Sequence, residues 1–280
     1  VQMDIFTTNL IDNIFVTKTF TADLPGDFTG GLVNIITKDF PTNKTTSYAA
    51  SLGYNANMHL RNDYLTYDGG TADAFALGAR NRAIPVNPNE GTPLAIPGQQ
   101  KLETMTRAFS PEMAAKYGNS FIDYSLGYSI GSQLKSKDRK RTHGYNFALN
   151  HQTNYRHFDE VIYGQYAKDR NKRINELQKV SEQKGSQSEY EAAWSGLFNA
   201  STKTKNNKYS FTLFHSRNGL KQTALLRSEA TSISSAPGAV LGKNILYYNQ
   251  RNVTTVNISG NHKLLGDKKT LNWSIAPSVS

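Results

Sequence analysis

Apolar and polar residues alternate with period two in seven separate stretches of this chain. In 48–58, Tyr48, Ala50, Leu52, Tyr54, Ala56 and Met58 share one face, and Ser47, Ala49, Ser51, Gly53 and Asn55 the other. In 121–131, Ile122, Tyr124, Leu126, Tyr128 and Ile130 alternate with Asp123, Ser125, Gly127, Ser129 and Gly131. Tyr145, Phe147 and Leu149 follow, then Tyr190, Ala192, Trp194, Gly196 and Phe198, then Tyr209, Phe211 and Leu213. A weaker version runs through Thr254, Val256 and Ile258, and the last carries Leu271, Trp273 and Ile275. Leu197 and Phe214 interrupt the polar side. Strict alternation predicts β-strands with one apolar face.

The connections predicted between these strands alternate in length. Segments 59–120, 156–189 and 217–245 are long, whereas 134–142, 204–207 and 264–269 are short. Asn206-Asn207 and Gly266-Asp267 supply turn chemistry on the short side. A soluble domain avoids several long, structureless loops. A transmembrane barrel has this asymmetry, with short turns on one side of the membrane and long loops on the other. Tyrosine and tryptophan recur on the apolar faces near segment ends, as interfacial girdles require. These patterns predict an all-β fold, a transmembrane antiparallel β-barrel whose apolar face meets lipid through Tyr48, Leu52, Tyr124, Leu126, Tyr128, Trp194 and Trp273. An odd, open set of seven strands cannot close on itself, so the chain reads as part of a larger barrel.

Within the long connections, Ser110-Pro111-Glu112 offers an N-cap, a first-turn proline and an early acid for a short helix ending at Gly118. Thr71 to Leu77 fits another helical turn, and 170–182 is polar and helix-competent, with Lys172, Glu176 and Lys179 spaced to pair.

Composition sharpens this reading. No run of about 18 apolar residues exists, which excludes a transmembrane helix but not barrel strands. The absence of cysteine removes disulfide scaffolds and thiolate metal sites. The net charge of +10 suggests acidic partners. Its densest run, Lys135 to Arg141, lies between two strands and reads as a solvated turn rather than a nucleic-acid site.

Catalytic motifs fail on context. Gly127-Tyr128-Ser129-Ile130-Gly131 matches a nucleophile elbow, which needs a strand, a sharp turn and a helix, yet it lies inside an alternating strand. None of the histidines has the helical i, i+4 spacing of a zinc site. His151 and His157 lie near a strand end, where polar residues at a membrane boundary are the simpler explanation. Asp63, Tyr64, Tyr67, Asp68 and Asp73 cluster in the first long loop. They offer either ligand capture from outside or, the weightier alternative, loop self-packing. No cofactor or metal site is expected.

The opening 40 residues differ from the rest. Ile11-Asp12-Asn13-Ile14-Phe15-Val16-Thr17-Lys18 is strand-like, and Gly30-Gly31 leads into Leu32-Val33-Asn34-Ile35-Ile36-Thr37-Lys38, apolar on both faces as a buried strand would be. Together they resemble the end of the plug domain of TonB-dependent outer-membrane receptors, where an I-x-x-I-x-V-x-K strand precedes a G-G-x-V-N-I-x-T-K strand and the first barrel strand follows. The intervening Leu24-Pro25-Gly26-Asp27-Phe28 lacks the family's Tyr-Gly turn and looks like the variant of Bacteroidetes receptors.

The resemblance implies residues 1–40 as the end of a plug, with Gly30, Gly31, Val33, Asn34, Ile35, Thr37 and Lys38 as structural positions. Residues 41–280 then form the first barrel strands with long external loops. It implies a bacterial outer-membrane transporter, not an enzyme, that imports a scarce ligand when TonB and its inner-membrane energising complex act on the plug. A surface lipoprotein or other envelope proteins are further partners. The alternative is a barrel with a structural or docking role in a secretion or adhesion assembly.

Overall fold

The computed structural model describes residues 11–20, 30–37, 43–87, 89, 100–136, 140–169, 171, 173–229, 240–264 and 269–279. Strands β1 (Ile11–Thr17) and β2 (Leu32–Thr37) pair antiparallel, with Val16 opposite Val33, Phe15 opposite Asn34 and Ile14 opposite Ile35. Ile14, Phe15 and Val16 are about half exposed, so no packed layer covers β1. The turn at Leu24–Asp27 and Lys38 lie outside the described residues.

The remaining elements are β3 (Thr45–Gly53), β4 (Tyr64–Thr66), α1 (Gln100–Ala108), β5 (Lys116–Gly118), β6 (Asp123–Lys135), β7 (Thr142–Lys168), β8 (Leu177–Lys203), β9 (Asn207–Glu229), β10 (Val240–Leu264), β11 (Lys269–Ile275) and β12 (Ser278–Val279). One antiparallel sheet has the order β11-β10-β9-β8-β7-β6-β3, with β12 continuing along β10. Each strand pairs with its sequence neighbour, apart from the excursion between β3 and β6, which carries β4, α1 and β5. The sheet is open among the described residues, with β3 and β11 at its ends.

The register brings all seven apolar faces to one side. A single row crosses the sheet through Tyr48, Tyr128, Leu149, Gly196, His215 and Thr254. Because side chains alternate strictly, the apolar positions within these strands lie on this side, and Ser47, Ser51, Ser125, Ser129, Asn146, Asn150, Ser195 and Asn199 lie on the other. The small-residue side is the more buried, with Ser195 fully enclosed and Asn146, Asn150, Asn199, Ser216 and Asn218 nearly so. Leu197 and Phe214, the two interruptions of the polar pattern, lie opposite one another there and pack with Ala148 into a small apolar cluster.

The apolar band crosses this face at a slant. It is centred on Trp273 in β11, Phe211 in β9, Phe147 in β7, Tyr128 in β6 and Ala50 in β3. The row through Trp273 meets β10 at Gly260. The row through Ala50 passes Leu126, His151, Trp194 and Arg217 to reach β10 at Asn252, eight residues away. Eight residues are an axial shift of about 26 Å, and six inter-strand gaps measure about 29 Å, so the band runs about 40° off the hydrogen-bond direction.

Three expectations need correction. The stretches 156–189 and 217–245 are mostly strand, since β7, β8, β9 and β10 run for 27, 27, 23 and 25 residues. Their polar outer halves are held by ladder hydrogen bonds, with irregularities only between Phe158 and Val161 and between Gln165 and Tyr166. The helical reading of 170–182 fails likewise, because β8 begins at Leu177 and Lys179 pairs with Glu182 along it. The helix expected over 110–118 is displaced to Gln100–Ala108. The Ser110 hydroxyl does accept the Glu112 N–H, but Glu112 then pairs with Lys116 as the chain enters β5. The turn at Thr71–Phe75 is helical, of the 3₁₀ type.

Candidate functional site

The excursion between β3 and β6 folds back onto the apolar side of the sheet, above the band. Within it, β4 pairs with β5, and two 3₁₀ turns span Thr71–Phe75 and Gly78–Arg82. Its backbone bonds to sheet side chains. The Leu65 N–H donates to Ser188 Oγ at 2.8 Å, Gly78 N–H to the Tyr248 hydroxyl at 3.1 Å, and Ala79 N–H to Gln250 Oε1 at 3.1 Å. Trp194 Nε1 donates to the Phe75 carbonyl at 2.9 Å, and His151 Nε2 to the Ala74 carbonyl at 2.8 Å. Satisfying these loop groups with sheet side chains orders a segment that has little regular structure of its own.

A charged knot lies at the centre. Arg82 grips Asp73 with two hydrogen bonds of 2.6 and 2.8 Å, and its guanidinium lies 4.2 Å from the Tyr248 ring centroid and 5.1 Å from that of Tyr67. Lys221 Nζ from β9 stands 3.6 Å from the same carboxylate and donates to the Tyr67 carbonyl. Burial opposes the charge of Arg82, but the Asp73 hydrogen bond and the charges of Asp73 and Tyr67 together outweigh it and hold the guanidinium above its ordinary value. Asp73, 5% exposed, is thus a buried carboxylate held by two cations.

A cleft of about 270 Å³ opens beside the knot, between Tyr64, Thr66 and Asp73 of the excursion and Tyr155, Tyr190 and Lys221 of the sheet. Tyr64 is 3% exposed, and its hydroxyl has no hydrogen-bond partner among the described residues. Burial pushes that hydroxyl's pKa up. The side chain packs edge-on against Tyr155 at 5.8 Å between centroids. This cleft can take a small hydroxyl-bearing or anionic group.

A second cluster joins the excursion to β7. Arg61 spans Asp63 and Asp159, with Nε 2.7 Å from Asp63 Oδ1 and Nη2 2.7 Å from Asp159 Oδ1. The hydrogen bond from Arg61 pulls the Asp63 carboxyl down to about 2. The buried His157 lies 3.1 Å from Asp159 through Nε2 and 2.8 Å from Ser188 Oγ through Nδ1. A neutral His157 with its proton on Nε2 satisfies both contacts. Ligand atoms of Asp63, His157 and Asp159 lie within 4.8 Å of one another, the spacing of a metal site. Arg61 already supplies the positive charge between the two carboxylates.

The residues singled out in the sequence separate into different settings. Asp63, Tyr64, Tyr67 and Asp73 face into the excursion's own packing, and the Tyr67 hydroxyl donates to the Tyr247 carbonyl at 3.2 Å. Asp68 is exposed and pairs with Lys116 at 2.6 Å. Tyr48, Leu52 and Leu126 are exposed at 80%, 74% and 54%, whereas Tyr124, Tyr128, Trp194 and Trp273 are half-buried. Trp273 donates to His262 Nε2 at 2.9 Å. Tyr48, Leu126, Tyr128, Leu149, Phe75 and Trp194 line a shallow apolar cleft of about 640 Å³ where the band meets the excursion. Gly30 has a φ of 151°, Gly31 enters β2 at its start, and Val33, Asn34, Ile35 and Thr37 lie in it. Ser129 sits mid-strand in β6 opposite Ala148, with no elbow. His151 and His157 have separate partners.

Arg61, Arg82, Asp159 and Lys221 carry charged contacts that the sequence patterns do not signal. Arg61 and Asp159 are 98 residues apart, and Lys221 reaches Asp73 only through the fold. No family model, curated protein or solved structure matches this chain.

Proposed function

We propose that the chain forms part of the lipid-facing wall of an outer-membrane β-barrel transporter that is plugged and TonB-dependent. The slanted apolar band carries the wall. Transmembrane barrel strands lean about 35–45° from the barrel axis, so a level layer of hydrocarbon cuts a line across them that is oblique to the hydrogen-bond direction. The observed slant has that size. The band stays exposed through Tyr48, Leu126, Leu213, Ile258 and Ile275, as lipid contact requires. A 27-residue strand is about 90 Å long, and tilted it rises about 70 Å, more than twice the hydrocarbon thickness of about 30 Å. The outer halves of β7 to β10 therefore stand beyond the bilayer, and there the excursion packs against them. The enclosed face of serine and asparagine suits a polar lumen.

Plugging and TonB dependence rest on the resemblance of residues 11–38 to the end of a plug, together with the pairing of β1 and β2. No covalent chemistry is involved. Planar-bilayer conductance of the full protein tests the reading. The intact protein is expected to be nearly closed, and deletion of residues 1–40 to open it. Equal conductance of both would overturn the plug. Co-purification with the periplasmic domain of TonB tests the energising partner, and its failure with a closed barrel would favour the docking role.

A further inference from the structure

The positive charge of this chain is concentrated at one end of the sheet. The β6–β7 connection with its strand ends, 135–141, holds five cations and one acid; the β8–β9 connection, 202–209, holds three and none; the β10–β11 connection, 263–269, holds three and one. These three short segments have a net charge of +9, almost the whole of the chain's +10. The excursion at the opposite end, 54–122, holds six cations and six acids, and the strand segments beside it, 156–189 and 217–251, hold twelve cations and seven acids. Lys135, Lys140, Arg141, Lys203, Lys205, Lys263 and Lys269 are all exposed. Lys269 is in register with the apolar side of the sheet, whereas Lys135, Lys203 and Lys263 are in register with the small-residue side at its end.

Tyr145 and Tyr209 stand at the rim side of the apolar band, and Trp273 lies within it, four residues from Lys269. Aromatic side chains followed by long cationic ones at the end of an apolar layer are the arrangement that meets lipid headgroups. The rings sit at the interface, and lysine stems extend along apolar surface to place their ammonium groups among phosphates. Near an anionic leaflet each such cation adds to the attraction, within about a Debye length.

We propose that the short-connection rim is a docking surface for anionic phospholipid headgroups of the adjacent leaflet, and that it fixes the depth and direction of the wall in the membrane. This inference rests on the reading of the apolar band as lipid-facing. The rim's charge rules out indifference between anionic and zwitterionic headgroups, and its continuity with the band favours lipid over a soluble acidic protein.

Trp194 lies at the edge of the band next to the excursion, and Trp273 is nearer the rim. The full protein, with every tryptophan except Trp273 replaced by phenylalanine, is reconstituted into phosphatidylcholine vesicles containing a trace of dansyl-labelled phosphatidylglycerol or dansyl-labelled phosphatidylcholine. Energy transfer from Trp273 is expected to be about threefold greater to the anionic label. High salt and the combined Lys140→Gln, Arg141→Gln, Lys205→Gln and Lys269→Gln variant should each abolish the difference. Equal transfer to both labels, with the protein floating with the vesicles, would overturn the inference and leave the wall intact. That outcome would point to an acidic protein on the rim. Failure to float with either vesicle would overturn the lipid-facing reading itself.

Discussion

Ala76 is seated directly on Gly219: a Cβ built on Gly219 would lie 3.0 Å from the Ala76 Cα and 2.6 Å from the Tyr248 hydroxyl. Ala76 is fully buried and has a φ of 53°, a conformation that alanine adopts rarely. Its 3₁₀ turn is thus held against bare backbone of β9. Gly219→Ala should lift the turn at a cost of about 1–3 kcal/mol to docking of the excursion, without melting the sheet. Limited proteolysis within 54–122 should accelerate, while the sheet's far-ultraviolet dichroism stays constant. Unchanged proteolysis would show that the seat is not needed.

Loss of Arg82 should be more damaging. Arg82→Ala leaves the buried Asp73 with only Lys221, at 3.6 Å. Removing one partner of a largely buried pair costs about 3–5 kcal/mol, and the partial exposure of Arg82 places this case at or below the lower end. Asp73→Asn in the Arg82→Ala background should recover part of the loss, because no unpaired carboxylate remains. Hydrogen exchange over Thr71–Arg82 reads both steps.

Tyr64→Phe is expected to be neutral or mildly stabilising. The Tyr64 hydroxyl is buried without a partner, and such a group costs about 1–3 kcal/mol. Protease resistance of the excursion should hold or rise. A clear fall would show that the hydroxyl is bonded in solution, through water or a ligand in the adjoining cleft.

The Arg61–Asp63 contact gives a pH dependence with a defined sign. The folded carboxyl is held down to about 2 by the hydrogen bond from Arg61. A depressed pKa contributes stability that is complete above the unfolded value of about 4 and is lost as pH falls through the folded value. Carboxyl-carbon resonances should therefore show Asp63 still ionised at pH 3, and Arg61→Gln should return its midpoint towards about 4. The half-exposed pair contributes little to global stability.

Adjacent positions on β3 separate the two faces. Tyr48 and Ser47 are both exposed and border no core, so a large residue at either meets no steric obstacle in the sheet. If the apolar side faces lipid, Tyr48→Arg near the band centre costs about 2–4 kcal/mol and lowers the yield of protein folded into vesicles, while Ser47→Arg does not. Heat-shift electrophoresis measures that yield. Equal behaviour of the two variants would sink the lipid-facing assignment.

The sequence made the faces legible because period two survives wherever one side of a strand is apolar and the other is not. Tyr48, Tyr128, Leu149 and Phe211 announce their strands in this way, and register then aligns them. The outer halves of β7 and β8 were illegible for the same reason. From Arg156 to Glu189 polar residues occur on both faces with Phe158, Val161, Ile162, Tyr163 and Tyr166 among them, so no period-two pattern survives and the partner strand's hydrogen bonds keep the chain extended. The helix at Gln100–Ala108 was missed because Ser110-Pro111-Glu112 offers stronger capping chemistry nearby, yet no apolar stripe follows it. The excursion's cluster was visible as a group of tyrosines and aspartates. The cations that organise it, Arg61, Arg82 and Lys221, became visible only when the fold joined β7 and β9 to the loop.

The slant of the apolar band also bears on the strands that would complete a barrel. An offset of eight residues across six strand gaps is about 1.3 residues per strand. Carried around a full circuit, that offset gives a shear number larger than the strand number, which fixes the radius once the strands are counted. If the band lies level in a bilayer, a wall with this lean cannot be closed by a short hairpin joining β3 to β11 at one level. The two edges are out of step by several residue pairs, and any chain that seals them must preserve that stagger.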